Sequence, residues 1–335
     1  EFIVGLAVLI LLHEFGHFLV ARLLGVEIEE FGIGFPPRMV KLFEHNGTEY
    51  TINWIPLGGF VRPKGENDPN VPGGLAAASP WVRLGVLFAG PLMNILIGVL
   101  LAILFFYTIG EPVTDKVLVR LVAPDSPASA AQLQEGDLLL AVNNQPINSS
   151  EDVINLIGAH LDEPVELRFQ RGDQTLTTTL TPRSNPPEGQ GAIGIVMTNP
   201  TRAVSWGTAI TRGARLAYEN VRGILTLPVR LLSGSAAPDE GRLVGYRGMF
   251  EIYQELDTPL YFFMAISISL GVLNLFPVPA LDGGRILLTL PEIFLRKRIP
   301  PRYENVIHLV GFTLLIILII YVNIQDFINP IQLPR

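Results

Sequence analysis

The architecture of this chain follows from residues 2–24, which read FIVGLAVLILLHEFGHFLVARLL. This run is long enough to cross a bilayer as a helix, since about 20 apolar residues span the hydrocarbon core. Three ionisable side chains, His13, Glu14 and His17, lie within five residues near its middle. Such side chains are costly inside a membrane and therefore indicate a function. A cleaved signal peptide is the alternative interpretation, but its apolar region would be shorter and would lack these polar residues.

Three further apolar runs occur, at about residues 81–109, 260–276 and 306–322. Of the 335 residues, 49% are hydrophobic and only 16% are charged, whereas soluble proteins carry about 25% charged residues. These observations predict a polytopic α-helical membrane protein with four transmembrane helices in the lipid bilayer. The net charge of -7 argues against nucleic acid as a partner. The absence of cysteine excludes disulfides and thiolate metal ligands.

Basic residues in short loops predict the orientation in the membrane. Arg296, Lys297, Arg298 and Arg302 lie between the third and fourth runs, so this connection is expected in the cytoplasm. The loop between the first two runs then also faces the cytoplasm. Residues 111–257 and both termini are expected on the opposite side.

The first loop contains a predicted β-hairpin. Residues 38–43 and 49–54 flank Asn46-Gly47, a dipeptide that favours a two-residue turn. Two interpretations stay open. The segment is either an ordinary cytoplasmic hairpin or a membrane-associated one whose edge strand pairs with an extended substrate.

The pattern of residues 117–197 predicts a small α/β module. Its expected strands are residues 117–122, 138–142, 165–170 and 176–180, and Ser149 is expected to begin a helix that runs to Ala159. Residues 200–232 have the pattern of a basic amphipathic helix, suited either to the membrane interface or to a plain connector. Residues 233–248 are expected to form a loop. The predicted domains are residues 1–110, 111–200, 201–257 and 258–335.

The spacing of His13 and His17 is typical of a metal site. Residues four apart share one face of a helix, so both imidazoles can reach one ion, and the intervening Glu14 can accept a proton from a water molecule that zinc activates. Two imidazoles leave a zinc site one ligand short. The best candidate is Asp282, because Pro277 and Pro279 break the third run just before it. The other histidines, which are weaker candidates, are His45, His160 and His308.

The chain resembles the site-2 protease family of intramembrane zinc metalloproteases, in the bacterial PDZ-containing branch that is similar to the regulator of sigma-E protease. The resemblance rests on HEFGH at residues 13–17, IPLGGFV at 55–61, AGPLMN at 89–94 and NLFPVPALDGG at 274–284. It covers nearly the whole length. It implies an inserted extracytoplasmic α/β PDZ domain in a multi-pass protein of the cell inner (plasma) membrane.

The resemblance also implies roles for individual residues. Zinc is expected on His13, His17 and Asp282, with Glu14 as the catalytic base. Asn274 is expected to hold substrate or to stabilise the oxyanion, and further substrate contacts are expected at Asn94, Gly58 and Gly59. The implied substrates are the transmembrane segments of single-pass proteins, such as a membrane-bound anti-sigma or similar regulator.

Some features depart from the family pattern. Only one PDZ-like module is expected, residues 244–249 lack the usual Gly-Pro motif, and no Gly-Leu-Gly-Phe loop is evident. Two alternatives follow from other protein classes. One is a membrane-anchored zinc peptidase that cuts soluble or misfolded proteins, and the other is an inactive membrane scaffold that binds through its PDZ module.

Overall fold

The structure is a computed structural model that describes residues 1–187, 189–237, 240–256 and 258–330, without the side chains of Leu57 and Pro301. Two compact units emerge. The helical unit contains the described residues of Glu1–Phe105 and Gly207–Gln332, and the sheet module contains those of Phe106–Trp206. The expected boundary at Asp257 and the expected C-terminal residues 331–335 lie outside the described residues.

The helices of the described chain are, in chain order, α1 (Phe2–Leu23), α2 (Pro80–Ile109), α3 (Pro127–Ala130), α4 (Ser150–Gly158), α5 (Trp206–Leu232), α6 (Tyr246–Glu255), α7 (Pro259–Asn274), α8 (Asp282–Leu295) and α9 (Pro301–Ile328). Six of them, α1, α2, α4, α5, α7 and α9, lie where helices were predicted, whereas α3, α6 and α8 were not predicted.

The strands are more numerous than the pattern predicted. They are β1 (Ile28–His45), β2 (Thr48–Pro63), β3 (Glu111–Pro112), β4 (Val117–Val122), β5 (Leu138–Val142), β6 (Gln145–Pro146), β7 (Val165–Arg171), β8 (Gln174–Leu180), β9 (Ile195–Thr198) and β10 (Thr201–Arg202).

Three of the four predicted spans are helices of sufficient length and apolarity to cross a membrane, namely α1, α2 and α9. The third predicted span differs. Its helix α7 has only 16 residues, or about 24 Å of helix, which is less than the thickness of a hydrocarbon core. The chain leaves the helix after Asn274 because Pro277 and Pro279 cannot continue it.

Strands β1 and β2 form the predicted hairpin, but it is longer than predicted. Asn46 and Gly47 have φ angles of 50° and 75°, the left-handed geometry that a two-residue turn of this kind requires. Both strands bend, so residue Glu30 pairs with Glu49 on one side and with Arg62 on the other. The register therefore sets four segments side by side, in the order 38–45, 48–53, 28–33 and 59–63. Segment 59–63 is one edge of this sheet.

The sheet module contains a six-stranded sheet of order β8-β7-β5-β4-β9, with β6 beside β5 and every pair antiparallel. Alternate residues of its strands point into one apolar core, as the period of two predicted. The Ser149 hydroxyl accepts a hydrogen bond of 3.1 Å from the Asp152 amide and begins α4. The buried Asp137 carboxylate binds Arg171 at 2.7 Å and raises the pKa of that guanidinium.

Candidate metal centre

Three donor atoms from two distant parts of the sequence converge in the helical unit. The Nε2 atoms of His13 and His17 are 3.2 Å apart, and Oδ2 of Asp282 lies 3.2 Å from the first and 3.4 Å from the second. A zinc ion with bonds of about 2.0–2.1 Å holds tetrahedral ligands about 3.3–3.4 Å apart. The triangle thus has the size of one face of a zinc tetrahedron, and the fourth corner is left for water or substrate.

The tautomer of His17 supports a cation at this point. Its Nδ1 donates a hydrogen bond of 2.7 Å to the carbonyl oxygen of Val86, so Nε2 of the neutral ring carries a bare lone pair. That lone pair faces a carboxylate oxygen and a second imidazole nitrogen. Three acceptors brought together within the protein are unfavourable unless a cation or a proton lies between them, and a zinc ion meets this need. The residues present therefore fit zinc.

His13 is oriented by Asn94 of α2. The amide group of Asn94 lies 3.2 Å from Nδ1 of His13, and the side chain is completely buried. The amide nitrogen Nδ2 faces this ring nitrogen, and Oδ1 is buried without a partner among the described residues. A flip of the amide exchanges the two atoms, so that Nδ1 of His13 donates its proton to Oδ1 when Nε2 is a metal ligand. Asn94 therefore contacts the imidazole directly, and it also lines the adjacent cavity, so the substrate contact expected from the sequence stays a prediction.

Glycines in α1 and α2 make these contacts possible. A Cβ atom on Gly16 would lie 2.5 Å from the carbonyl oxygen of Ala89, and one on Gly90 would overlap the His17 ring. The two helices therefore cross with their backbones in contact. This close crossing brings the Val86 carbonyl and the Asn94 amide within reach of the histidines, which explains the AGPLMN motif physically.

Asp282 reaches the histidines because the chain turns sharply before it. Residues 275–281 are irregular, and Asp282 is the first residue of α8. Cβ atoms on Gly283 and Gly284 would overlap the carbonyl oxygens of Phe276 and Val278. The two glycines therefore let the first turn of α8 fold back against this segment.

Glu14 belongs to the site but not to the donor triangle. Its Oε2 accepts a hydrogen bond of 3.2 Å from the backbone amide of Val61, in the edge segment 59–63. Gly58 has a φ of +70°, and a Cβ there would lie 2.5 Å from Cγ2 of Ile10 in α1. A Cβ on Gly59 would lie 2.7 Å from Cδ1 of Leu11. The two glycines thus bring the edge segment against α1, and the substrate contact that the sequence suggested for them stays a prediction.

A cavity of about 380 Å³ opens beside these groups. Asn274, the last residue of α7, lines it, as do Phe60 and Val61 of the edge segment. Gly58 and Gly59 are not among its lining residues. The cavity has room for a few residues of an extended peptide next to Glu14 and the donor triangle.

The weaker histidine candidates lie outside the donor triangle. His45 contacts Asn46 at 3.1 Å in the hairpin turn, and His160 bonds the Leu156 carbonyl at 2.9 Å in the sheet module. His308 of α9 accepts a hydrogen bond of 3.4 Å from the amide of Ala280. Sequence reasoning had no signal for the Val61 amide or the Val86 carbonyl, because backbone groups leave no mark in a residue pattern.

Known proteins are similar in sequence to this chain over most of its length. The model of the family described as Peptidase family M50 matches residues 1–318. A protein of Clostridium perfringens, provisionally named a zinc metalloprotease, is 32% identical over 340 residues and covers 98% of both chains. A provisionally named zinc metalloprotease of Helicobacter pylori is 34% identical over 334 residues, with 93% of each chain covered. Zinc metalloprotease RasP of Geobacillus kaustophilus is 28% identical over 411 residues, covering 97% of this chain and 96% of that protein.

Among solved structures, the PDZ domain of an SdrC-like protein from Listeria monocytogenes is 26% identical and covers 25% of this chain and 88% of its own. Its TM-score is 0.23. The family match over residues 1–318 and the two relatives of 32% and 34% identity establish the family of this chain. The chain belongs to peptidase family M50, the site-2 protease family, and is a multi-pass membrane zinc metalloprotease.

Proposed function

We propose that this chain is an intramembrane endopeptidase that cleaves the transmembrane segments of single-pass membrane proteins. The observation that carries the proposal is the donor triangle of His13, His17 and Asp282, whose edges of 3.2–3.4 Å fit one zinc ion. Glu14 lies beside that triangle on α1, the helix that carries both histidines, and acts as the catalytic base.

Each residue has a chemical task in this proposal. Zinc, when bound, supplies Lewis-acid chemistry that polarises the scissile carbonyl and acidifies a water molecule. Glu14 accepts the proton of that water and later passes it to the leaving amine. The Val61 amide keeps the Glu14 carboxylate turned toward the cavity. Asn274 donates a hydrogen bond to the oxyanion or to the substrate backbone.

The substrate lies extended along segment 59–63. The Val61 amide donates to Glu14 and not to segment 28–33, so the outer edge of segment 59–63 faces the cavity. Backbone groups on such an edge bind an extended peptide by adding it as a further strand. We therefore propose that the substrate pairs with segment 59–63. The sequence had suggested pairing with residues 38–54, which lie elsewhere in the same sheet.

The proposed topology has four crossings of the cell inner membrane. Helix α7, the irregular segment 275–281 and α8 together form the third, because broken backbone is tolerated where it lines a cavity. Residues 106–206 are then an extracytoplasmic PDZ domain, and the basic residues at 296–302 face the cytoplasm. Regulated release of a membrane-bound anti-sigma or similar regulator is the corresponding biological role.

The topology is tested with single cysteines, since the natural chain has none. Cysteines replacing Ser150 and Arg298 are treated with a membrane-impermeant thiol reagent in intact cells. The Ser150 position is expected to react and the Arg298 position to be protected. The reverse pattern contradicts the proposed orientation.

The chemistry is tested by metal analysis together with cleavage assays. Glu14→Gln is expected to keep one zinc per chain and to lose about 10²–10⁴-fold in activity, the usual contribution of a general base. Alanine at His13, His17 or Asp282 is expected to lose both zinc and activity. Full zinc occupancy in Asp282→Ala would remove that residue from the ligand set.

The substrate class is tested with the same preparations. A tagged single-pass membrane protein and an unfolded soluble protein are offered in parallel. The wild type is expected to cut only the first, within its transmembrane segment. Preferential cleavage of the soluble protein would favour the membrane-anchored peptidase instead.

A further inference from the structure

The segment that presents Asp282 to the histidines is held in an unfavourable backbone conformation. Ala280, two residues before Asp282, has a φ of +80° although it is not glycine. A residue with a Cβ atom rarely adopts such an angle, and the surrounding structure must maintain it. Because Ala280 and Asp282 are separated by one residue, a change of φ at Ala280 would redirect the carboxylate.

Helix α9 contacts this segment through two residues on one face. A Cβ on Gly311 would overlap the ring of Pro279, so the helix backbone lies directly against the segment. One turn earlier, Nδ1 of His308 accepts the hydrogen bond of 3.4 Å from the Ala280 amide. On the opposite side, Gly284 of α8 lies against the Val278 carbonyl. The segment is therefore enclosed between α8 and α9.

The His308 ring has no task in the peptidase chemistry described above. Its Nδ1 is an acceptor, so the neutral ring carries its proton on Nε2. That Nε2 atom is buried and has no hydrogen-bond partner within the described part of the chain. A buried donor without a partner is unfavourable, and a leucine would avoid this cost. The contact with Ala280 is the interaction that explains a histidine here.

We propose that His308 is a positioning residue for the metal centre. By accepting the Ala280 hydrogen bond, it stabilises the left-handed conformation of Ala280 and so aims Asp282 at His13 and His17. The inference rests on the proposed function, because it takes Asp282 as a zinc ligand. It assigns His308 no contact with zinc, water or substrate.

The first test measures zinc affinity of the full chain in lipid nanodiscs by competition with a chelator. His308→Leu is expected to bind zinc about tenfold more weakly, the lower end of the range for residues that orient metal ligands. His308→Asn places an oxygen close to the position of Nδ1 and is expected to restore most of the affinity. The matched control is Thr313→Val, which removes a hydroxyl that bonds only the Leu309 carbonyl of the same helix. The control is expected to bind zinc normally.

The second test asks whether His308 acts through the backbone of Ala280. Glycine adopts positive φ without strain, so Ala280→Gly removes the need for the hydrogen bond to His308 that stabilises this conformation. In the otherwise wild-type chain, Ala280→Gly is expected to alter zinc affinity less than twofold. In the His308→Leu variant, the same change is expected to raise the weakened zinc affinity several-fold. The absorption spectrum of the cobalt-substituted protein is recorded for each variant, because it reports ligand geometry independently of activity.

The outcomes separate this inference from the proposed function. If Asp282→Ala loses zinc while His308→Leu binds it normally, the positioning role is wrong and the ligand set stands. If His308→Leu is weakened but Ala280→Gly gives no recovery, the imidazole does not act through Ala280 and the inference is overturned. If Asp282→Ala retains full zinc affinity, the ligand assignment itself fails.

Discussion

The sheet module and the helical unit are stabilised in different ways. The module has one apolar cluster of fourteen buried residues, whereas the clusters of the helical unit contain three to five each. Both units bury polar side chains, such as Asp137 in the module, but in the helical unit the buried Asn94 and Ser267 hydrogen-bond across separate helices. Its helices meet at glycines such as Gly16 and Gly90.

The difference follows from the surroundings of each unit. In water, burial of apolar side chains drives folding. Between helices in a membrane that driving force is absent, because lipid is as apolar as leucine, and close backbone contacts with buried hydrogen bonds take its place. Conservative changes should therefore have different effects in the two units. The predictions that follow test this contrast.

The largest effect is expected from truncation of the module core. Leu167 of β7 is fully buried, and Leu167→Ala is expected to lower the free energy of unfolding of the module by about 2–5 kcal/mol. Pulse proteolysis in urea measures this change through cleavage within the module. Zinc content is expected to stay the same. The control is Glu166→Ala, an exposed neighbour on the same strand. A loss of zinc in Leu167→Ala would contradict the separation of the two units.

The addition of a single methyl group tests the helical unit. A Cβ on Gly90 overlaps the His17 ring, so Gly90→Ala is expected to weaken zinc binding by about 100-fold, the upper end for changes that misorient a ligand. The module is expected to unfold in urea as in the wild type. Gly223→Ala in α5 is the matched control, because a Cβ there meets no atom within 4 Å. Normal zinc affinity in Gly90→Ala would show that the helices need not be this close.

The same contrast explains what could be predicted from the sequence. Strands β4 and β5 were predicted to the residue, because a period of two reports directly on one apolar core. The donor triangle was predicted because i, i+4 spacing and a proline-broken span leave clear signals. No local pattern predicted the bends of β1 and β2, or strand β9.

Helix α6 shows why a sequence pattern can fail. Residues 233–248 were expected to be a loop, yet α6 begins at Tyr246. The amides of Gly245 and Gly248 donate to Oδ2 of the buried Asp326 at 2.7 and 3.1 Å. The carboxylate that caps this helix start therefore comes from α9, almost eighty residues later in the chain. A prediction from neighbouring residues has no access to such a partner.

The helical unit also depends on the buried amide of Asn94, whose contact with His13 no apolar side chain can replace. Asn94→Ala removes the amide that orients His13, and zinc binding is expected to weaken about tenfold. Competition with a chelator measures the change. Ser267→Ala is the matched control. The Ser267 hydroxyl is equally buried and donates to the backbone carbonyl oxygen of Asn94, which is still present in Asn94→Ala. An equal loss in both variants would indicate general loosening of the helices and not a specific effect on His13.

The smallest effect is expected where the helical unit depends on one backbone hydrogen bond. Val61→Pro removes the amide that donates to Glu14 at 3.2 Å. This amide points away from the neighbouring segment, and proline is tolerated at such positions on an edge strand. The loss of one hydrogen bond of about 0.5–1.5 kcal/mol should lower kcat about tenfold or less, while zinc affinity stays unchanged. Val61→Ala keeps the amide and is expected to retain wild-type kcat. A proline variant with unchanged kcat would show that Glu14 is oriented without the sheet, and one that loses zinc would show that the edge segment supports the ligands and not the base.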